Sequence, residues 1–267
     1  MGLGGTHTNY HPNGQLADLS PLKGMNLTEL TKLNLNLTKV GDVGLVHFKD
    51  CTNLTYLGLG ATRVSDNGLA YFKNCKSLTS LELFYIPASD AGLAYFKDCK
   101  GLTRLNLVGT KVSDAGLANF KDCKNLTTLS LDRTQVGDAG MVHFQDCKSL
   151  TDLGLAETKV SDVGLAHFKD CKKLIYLSLT FTQVGDAGLA QLKGMPLRVL
   201  WIYNTGITDL TPLQGMPLEK IYLTPKNITR GLDILRDMKS LKTIGIREQA
   251  WSAAEFWERY DKGEFKE

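Results

Sequence analysis

No stretch of the 267-residue sequence stays apolar for more than a few residues, so no segment is expected to span a membrane as a helix. The first fifteen residues, Met1 to Gln15, have no apolar core of the kind a secretory signal needs, and no signal peptide is expected there. Excess charge of one sign is also missing. Thirty-one basic residues stand against 28 acidic ones, and a net +3 this dispersed leaves no footprint for nucleic acid. No GxGxxG or GxxxxGK[ST] loop is present to cradle phosphate, and no CxxC pair to bring two thiolates to one zinc. With 43% hydrophobic and 22% charged residues, the chain has the composition of a globular protein. Its length allows a full core in one or two domains.

The six cysteines carry the first specific signal. Cys51, Cys75, Cys99, Cys123, Cys147 and Cys171 follow one another at steps of 24 residues. Disulfide frameworks space their cysteines irregularly, in small secreted chains. Six cysteines at one position of one repeat instead point the same way into one layer, as small buried hydrophobes in reduced form.

Aligned on the cysteines, the unit reads C-K-x-L-T-x-L-x-L-x-x-T-x-V-x-D-x-G-L-A-x-F-K-D. Its first leucine falls at Leu30, Leu54, Leu78, Leu102, Leu126, Leu150 and Leu174, then at Leu197, Leu218 and Leu241 after shorter steps. Ten units cover nearly the whole chain. The pattern resembles leucine-rich repeat proteins, whose LxxLxLxxN/CxL segment is matched by Leu54, Leu57, Leu59 and Val64. Thr62, Thr110, Thr134, Thr158 and Thr182 stand where that family has Asn or Cys.

Within one unit the leucines alternate with other residues, the mark of a short half-buried strand. The Thr that follows is expected to satisfy backbone groups with its hydroxyl. Each Asp of Asp-x-Gly-Leu is expected to be the N-cap of a short helix or 3-10 turn that carries a buried Leu and Phe. One unit cannot bury its leucines alone, whereas stacked units can. The expected fold is therefore an α/β leucine-rich repeat solenoid, a curved horseshoe with a parallel concave sheet and short helices or 3-10 turns on its convex side.

The organisation along the chain falls into three zones. Residues 1–15 read as a disordered or vector-derived segment. Residues 16–247 form a repeat domain of about ten units, opened by a half-unit cap that resembles Thr208 to Leu218. Residues 248–267 form a capping helix and tail, with Trp251, Ala254, Trp257 and Tyr260 on one helical stripe. From Met195, Gly-Met-Pro-Leu replaces Asp-Cys-Lys-x-Leu and the units shorten, which favours a tight turn over a helix. One copy breaks the pattern: Ile86-Pro87-Ala88 stands where its neighbours have Thr-x-Val, as drift or as a local binding feature.

No catalytic arrangement stands out, so neither catalysis, a cofactor nor a metal is expected. His47, His143 and His167 share a slot that other copies fill with Tyr71, Tyr95, Asn119 and Gln191, as a solvent-facing position would. The recurring aspartates suggest a calcium ladder, but no Gly-Gly-x-Gly-x-Asp repeat accompanies them. Lys76, Lys100, Lys124, Lys148 and Lys172 beside recurring aspartates read as a solvated face.

Function should lie where the copies differ. The strand residues between the leucines vary irregularly, and aromatics gather in the later units: Tyr176, Phe181, Trp201, Tyr203 and Tyr222, with Arg247 close by. A smaller group, Tyr56, Phe84, Tyr85 and Arg104, stands nearer the start, and Asp132, Asp152 and Glu157 make a more acidic middle. Trp and Tyr dominate interface hot spots. The favoured reading is a concave groove for a protein or peptide centred on Trp201 and Tyr203; the plainer one is that these rings only shield the sheet.

The resemblance implies a non-enzymatic interaction module. The near-identical units and the Gly-Met-Pro-Leu variant look like bacterial, cysteine-containing 24-residue members, some of which are arms of larger signalling proteins such as Ser/Thr kinases. A carbohydrate or cell-surface ligand receptor is the alternative. An F-box-like receptor is disfavoured because no three-helix adaptor precedes the repeats. A monomer with no nucleic-acid partner and no membrane insertion is expected, and six unpaired buried cysteines favour the cytoplasm.

Overall fold

Alternating leucines place one short strand in each repeat, and the 24-residue period aligns those strands in register. The computed structural model describes residues 16–265; the expectation for residues 1–15 lies outside them. Two compact units divide at Gln135 and Val136.

In the N-terminal unit, β1 (Lys32–Asn34), β2 (Tyr56–Gly58), β3 (Ser80–Glu82), β4 (Arg104–Asn106) and β5 (Thr128–Ser130) lie parallel in chain order. Leu33, Leu57, Leu81, Leu105 and Leu129 stand opposite one another in turn. The return segments are a 3-10 turn at Asp42–Phe48, then α1 (Asp66–Leu69), α2 (Asp90–Leu93) and α3 (Asp114–Leu117). Each of these three helices runs into a 3-10 turn that ends on a buried phenylalanine: Phe72, Phe96 or Phe120.

The C-terminal unit repeats the scheme with β6 (Asp152–Gly154), β7 (Tyr176–Ser178), β8 (Val199–Trp201), β9 (Lys220–Tyr222) and β10 (Thr243–Ile246). Pairs β6–β7, β7–β8, β8–β9 and β9–β10 are parallel. Its helices are α4 (Asp138–Met141), α5 (Asp162–Leu165), α6 (Asp186–Ala190) and α7 (Leu232–Asp237). The first shortened repeat has the expected tight turn, Thr211–Leu213. The next does not: Pro225–Asn227 is a 3-10 turn, but α7 follows it.

Strand leucines, return-segment phenylalanines and cysteines fill the core of each unit. Each fully buried Leu or Phe contributes about 1.5–3 kcal/mol. All six cysteines are reduced and buried. Cys75 donates through Sγ to the Cys51 carbonyl at 3.2 Å, and Cys99 and Cys123 repeat the contact one and two repeats on. The threonines act as the sequence suggests: Thr62 Oγ1 donates to the Leu59 carbonyl at 2.6 Å, and Thr38, Thr110, Thr134, Thr158 and Thr182 do the same in their own repeats.

The aspartates do not act as expected. Each is the first residue of its own helix, and the N-cap position before it holds Ser65, Ser89, Ser113 or Ser161, or else a glycine. The carboxylates of Asp42, Asp66, Asp90, Asp138, Asp162 and Asp186 cross to the following repeat. Asp42 accepts from the Ser65 amide and hydroxyl, Asp90 from those of Ser113, and Asp138 from those of Ser161. The glycine of Asp-x-Gly-Leu is needed for the same reason. A Cβ on Gly68, Gly92, Gly116, Gly164 or Gly188 would fall on the carboxylate oxygen reaching over from the repeat before.

The Ile86-Pro87-Ala88 copy keeps its core by exchange of volume. Ile86 fills the threonine slot and Ala88 the valine slot, both buried. Proline replaces a residue whose counterparts, Arg63 and Lys111, donate their amides to the repeat before, so one rung is absent.

The tail also differs from expectation. Trp251 is not on a helix: it lies on β11 (Gln249–Ser252), which pairs antiparallel with β10. Helix α8 (Ala253–Asp261) begins only after Ser252, whose hydroxyl accepts the Glu255 amide at 3.2 Å. Its buried face is Phe256 and Trp257, with Phe256 stacked on Tyr260 and Phe265. Among the described residues no helix is long and apolar enough to cross a membrane.

Candidate functional site

Alternation along a strand sends the leucines into the core and leaves the residues between them on the open sheet face. There the rings lie in slots that small residues provide. Phe84 covers Gly60, Tyr85 covers Gly109 and Tyr222 covers Gly245, each at the place a Cβ would take.

In the C-terminal unit the named aromatics form two connected sets. Tyr176 meets Trp201 edge-on at 6.0 Å, and Trp201 leans on Tyr222 at 4.8 Å between ring centroids. These rings come from β7, β8 and β9, brought side by side by the register of Ser178 with Trp201 and Trp201 with Tyr222. The Trp201 indole N–H is covered and has no acceptor among the described residues. Beside them, Phe181 meets Tyr203 edge-on at 5.6 Å, and Arg247 Nε donates to the Tyr203 hydroxyl at 2.8 Å.

In the N-terminal unit the second group is more polar. Phe84 and Tyr85 meet at right angles, 6.3 Å apart. Arg133 donates to the Tyr85 hydroxyl at 3.2 Å. Arg104 approaches Glu82 at 3.9 Å, and Asn106 donates to the other Glu82 oxygen at 2.9 Å. Tyr56 is tied to Asn36 at 3.3 Å, and burial, then the Glu82 charge, pushes its hydroxyl pKa upward. Glu82, Asn106, Asn36 and Lys220 also belong to these clusters, and reading for aromatics passes over them. Their signal is position: all four occupy the same variable strand columns as the rings.

One position of the repeat is held in an unusual backbone conformation in both units. Leu37, Ala61, Tyr85, Arg133, Glu157, Phe181 and Asn204 recur just after the strands with φ between 52° and 60°. A side chain in that left-handed region costs about 1 kcal/mol or more, and glycine or asparagine usually takes it. Gly109 does so in its repeat, yet Tyr85 and Phe181 hold large rings there, 51% and 49% exposed.

One open cavity of about 440 Å³ lies between Gln214–Pro217 and Asp237–Ser240, and another of about 270 Å³ lies around Asp18 and His47. No three metal-ligating side chains converge among the described residues.

Comparison with known proteins agrees with this architecture. The sequence profile of the BspA-type leucine-rich repeat region matches in six copies over residues 24–89 and 72–191. No curated protein matches in sequence. Among solved structures, an internalin (InlF) from Listeria monocytogenes is similar at 23% identity and a TM-score of 0.65, over 88% of this chain and 73% of the internalin chain. Internalin C2 from the same organism is similar at 22% identity and a TM-score of 0.55, over 76% of this chain and 83% of its own. The ectodomain of the plant receptor kinase GASSHO1/SCHENGEN3 from Arabidopsis thaliana, solved in complex with CASPARIAN STRIP INTEGRITY FACTOR 2, is similar at 15% identity and a TM-score of 0.54. That likeness covers 81% of this chain and 32% of the ectodomain. At these identities the likeness is one of fold.

Proposed function

The chain belongs to the BspA-type leucine-rich repeat proteins, and on that premise we propose that it is a non-enzymatic interaction module, acting as a monomer, that binds a protein or peptide on its open strand face. The carrying observation is the Tyr176–Trp201–Tyr222 cluster with Phe181 and Tyr203 beside it. Rigid rings lose little entropy on binding and bring large apolar area to an interface. Phe181 supports the reading further, because a half-exposed ring at positive φ gives the isolated fold little in return for its strain. Leucine-rich repeat folds typically serve as protein-interaction modules, and a receptor ectodomain of this fold holds its partner in complex.

A sugar needs a flat ring face open to solvent. Trp201 is half-buried between Tyr176 and Tyr222, which favours side chains of a protein partner over a stacked pyranose. As an arm of a larger signalling protein, the module would use the same face.

The test is affinity capture from lysate of the source organism with the intact chain and with a Trp201→Ala/Tyr203→Ala variant of unchanged circular dichroism. A protein retained by the intact chain alone is the expected result. The same protein retained equally by both would refute this placement.

A further inference from the structure

Two cations stand on the C-terminal unit's strand face, on β9 and in the turn after β10. The Lys220 ammonium lies 5.0 Å from the centre of the Tyr222 ring, and Arg247 bonds the Tyr203 hydroxyl. Neither forms an ion pair with a carboxylate among the described residues. Some other basic residues of the unit do, among them Lys148 with Asp170, Arg230 with Asp209, and Arg198 and Lys242 both with Glu219. In the N-terminal unit the comparable Arg104 already faces Glu82. The acids of the C-terminal unit's face, Asp152 and Glu157, stand on β6 and the turn after it, at the other end of its strands.

Arg247 is also held against its backbone preference. Ile246 pairs with Gln249, so Arg247 and Glu248 are the two central residues of a tight hairpin, and Arg247 has φ 55°. Glycine is favoured where such a hairpin needs positive φ. An exposed arginine there adds strain, and its guanidinium is bonded to the Tyr203 hydroxyl.

Resting on the function proposed above, we infer that the partner segment is an acidic peptide in extended form. Its carboxylates are read by Arg247 and Lys220, and an apolar side chain between them lies on the Tyr203–Phe181 pair. A guanidinium held by one hydroxyl and an ammonium held on a ring keep further donors for carboxylates.

The test is selection of random dodecapeptides displayed on phage against the full chain, with selected peptides then measured on variants. The expected peptides carry net negative charge and bind less tightly as salt rises. Arg247→Gly should weaken them about tenfold, as loss of a charge-assisted bond does, and Lys220→Gln by a smaller factor. Because glycine relieves the hairpin, Arg247→Gly should leave Tm unchanged or raise it by up to about 3 °C. Peptides without acidic bias, or unmoved by both substitutions yet lost in Trp201→Ala, would overturn the inference and leave the binding face standing. Selection of no peptide, or of peptides bound equally by Trp201→Ala, would overturn the reading of the face and the inference with it.

Discussion

Asp66 holds Ser89 of the following repeat at two points, accepting from its amide at 2.9 Å and its hydroxyl at 2.5 Å. Gly92 lies against the same carboxylate with no room for a Cβ. The sequence motif Asp-x-Gly therefore spans a junction: its aspartate serves the next repeat and its glycine receives the aspartate of the one before. Asp66→Ala should cost about 2–3 kcal/mol, since two charge-assisted bonds to partly buried groups are lost. Gly92→Ala should also destabilise, through collision with Asp66. In the double variant the collision is gone, so its loss should be smaller than the sum of the two. Urea unfolding of the four chains measures that coupling.

Burial pushes the Cys75 and Cys99 thiols up to about 12, and those of Cys51 and Cys123 up to about 11. An unfolded chain releases these protons near the ordinary thiol value of about 8.5. The folded chain keeps them, so this support for folding is complete below that value and fades as pH rises through 9 toward 12. Melting temperatures should therefore fall across that window. A Cys75→Ala/Cys99→Ala variant should show the shallower fall, and an equal slope would contradict the buried-thiol account.

Ile86 and Ala88 exchange volume between two buried slots. Ala88→Val alone should overpack, and Ile86→Thr alone should leave a void, each costing about 1 kcal/mol or more. Together they restore the pattern of the other repeats and should cost less than either. Thermal melts of the three variants decide this.

In the tail, Phe256 is fully buried between Trp257, Tyr260 and Phe265. Phe256→Ala should cost about 3–5 kcal/mol and expose β11 to amide exchange ahead of β9. Equal protection of both strands would mean that α8 does not cover this end of the sheet, the capping role we propose for it.

Much of the fold was legible because each repeat states its own rules. Leu57 and Leu59 alternate within a strand, and the 24-residue period carries that register from β2 to β3. Cys75 and Phe72 recur at fixed positions and so share a layer. The aspartates were misread because a local pattern cannot reveal a partner 23 residues away. The only trace was the Ser or Gly before each Asp, small enough to receive a carboxylate. Trp251 was misplaced for a related reason. Three-residue steps from Trp251 through Ala254 to Trp257 imitate a helix, while the hairpin that makes β11 turns on Arg247 and Glu248, without the glycine or asparagine that would mark it. The aromatic columns were visible as departures from the repeat. Their polar companions, Glu82 and Lys220, were not, because a charge in a variable column looks the same whether it is paired or free.

The most direct test of the binding face is calorimetric titration of the tightest selected peptide into the intact chain and into Trp201→Ala. A central aromatic hot spot is worth about 2 kcal/mol or more, so the account predicts a loss of about thirtyfold or greater with no change in fold. Equal affinity for both chains would show that these rings only shield the sheet.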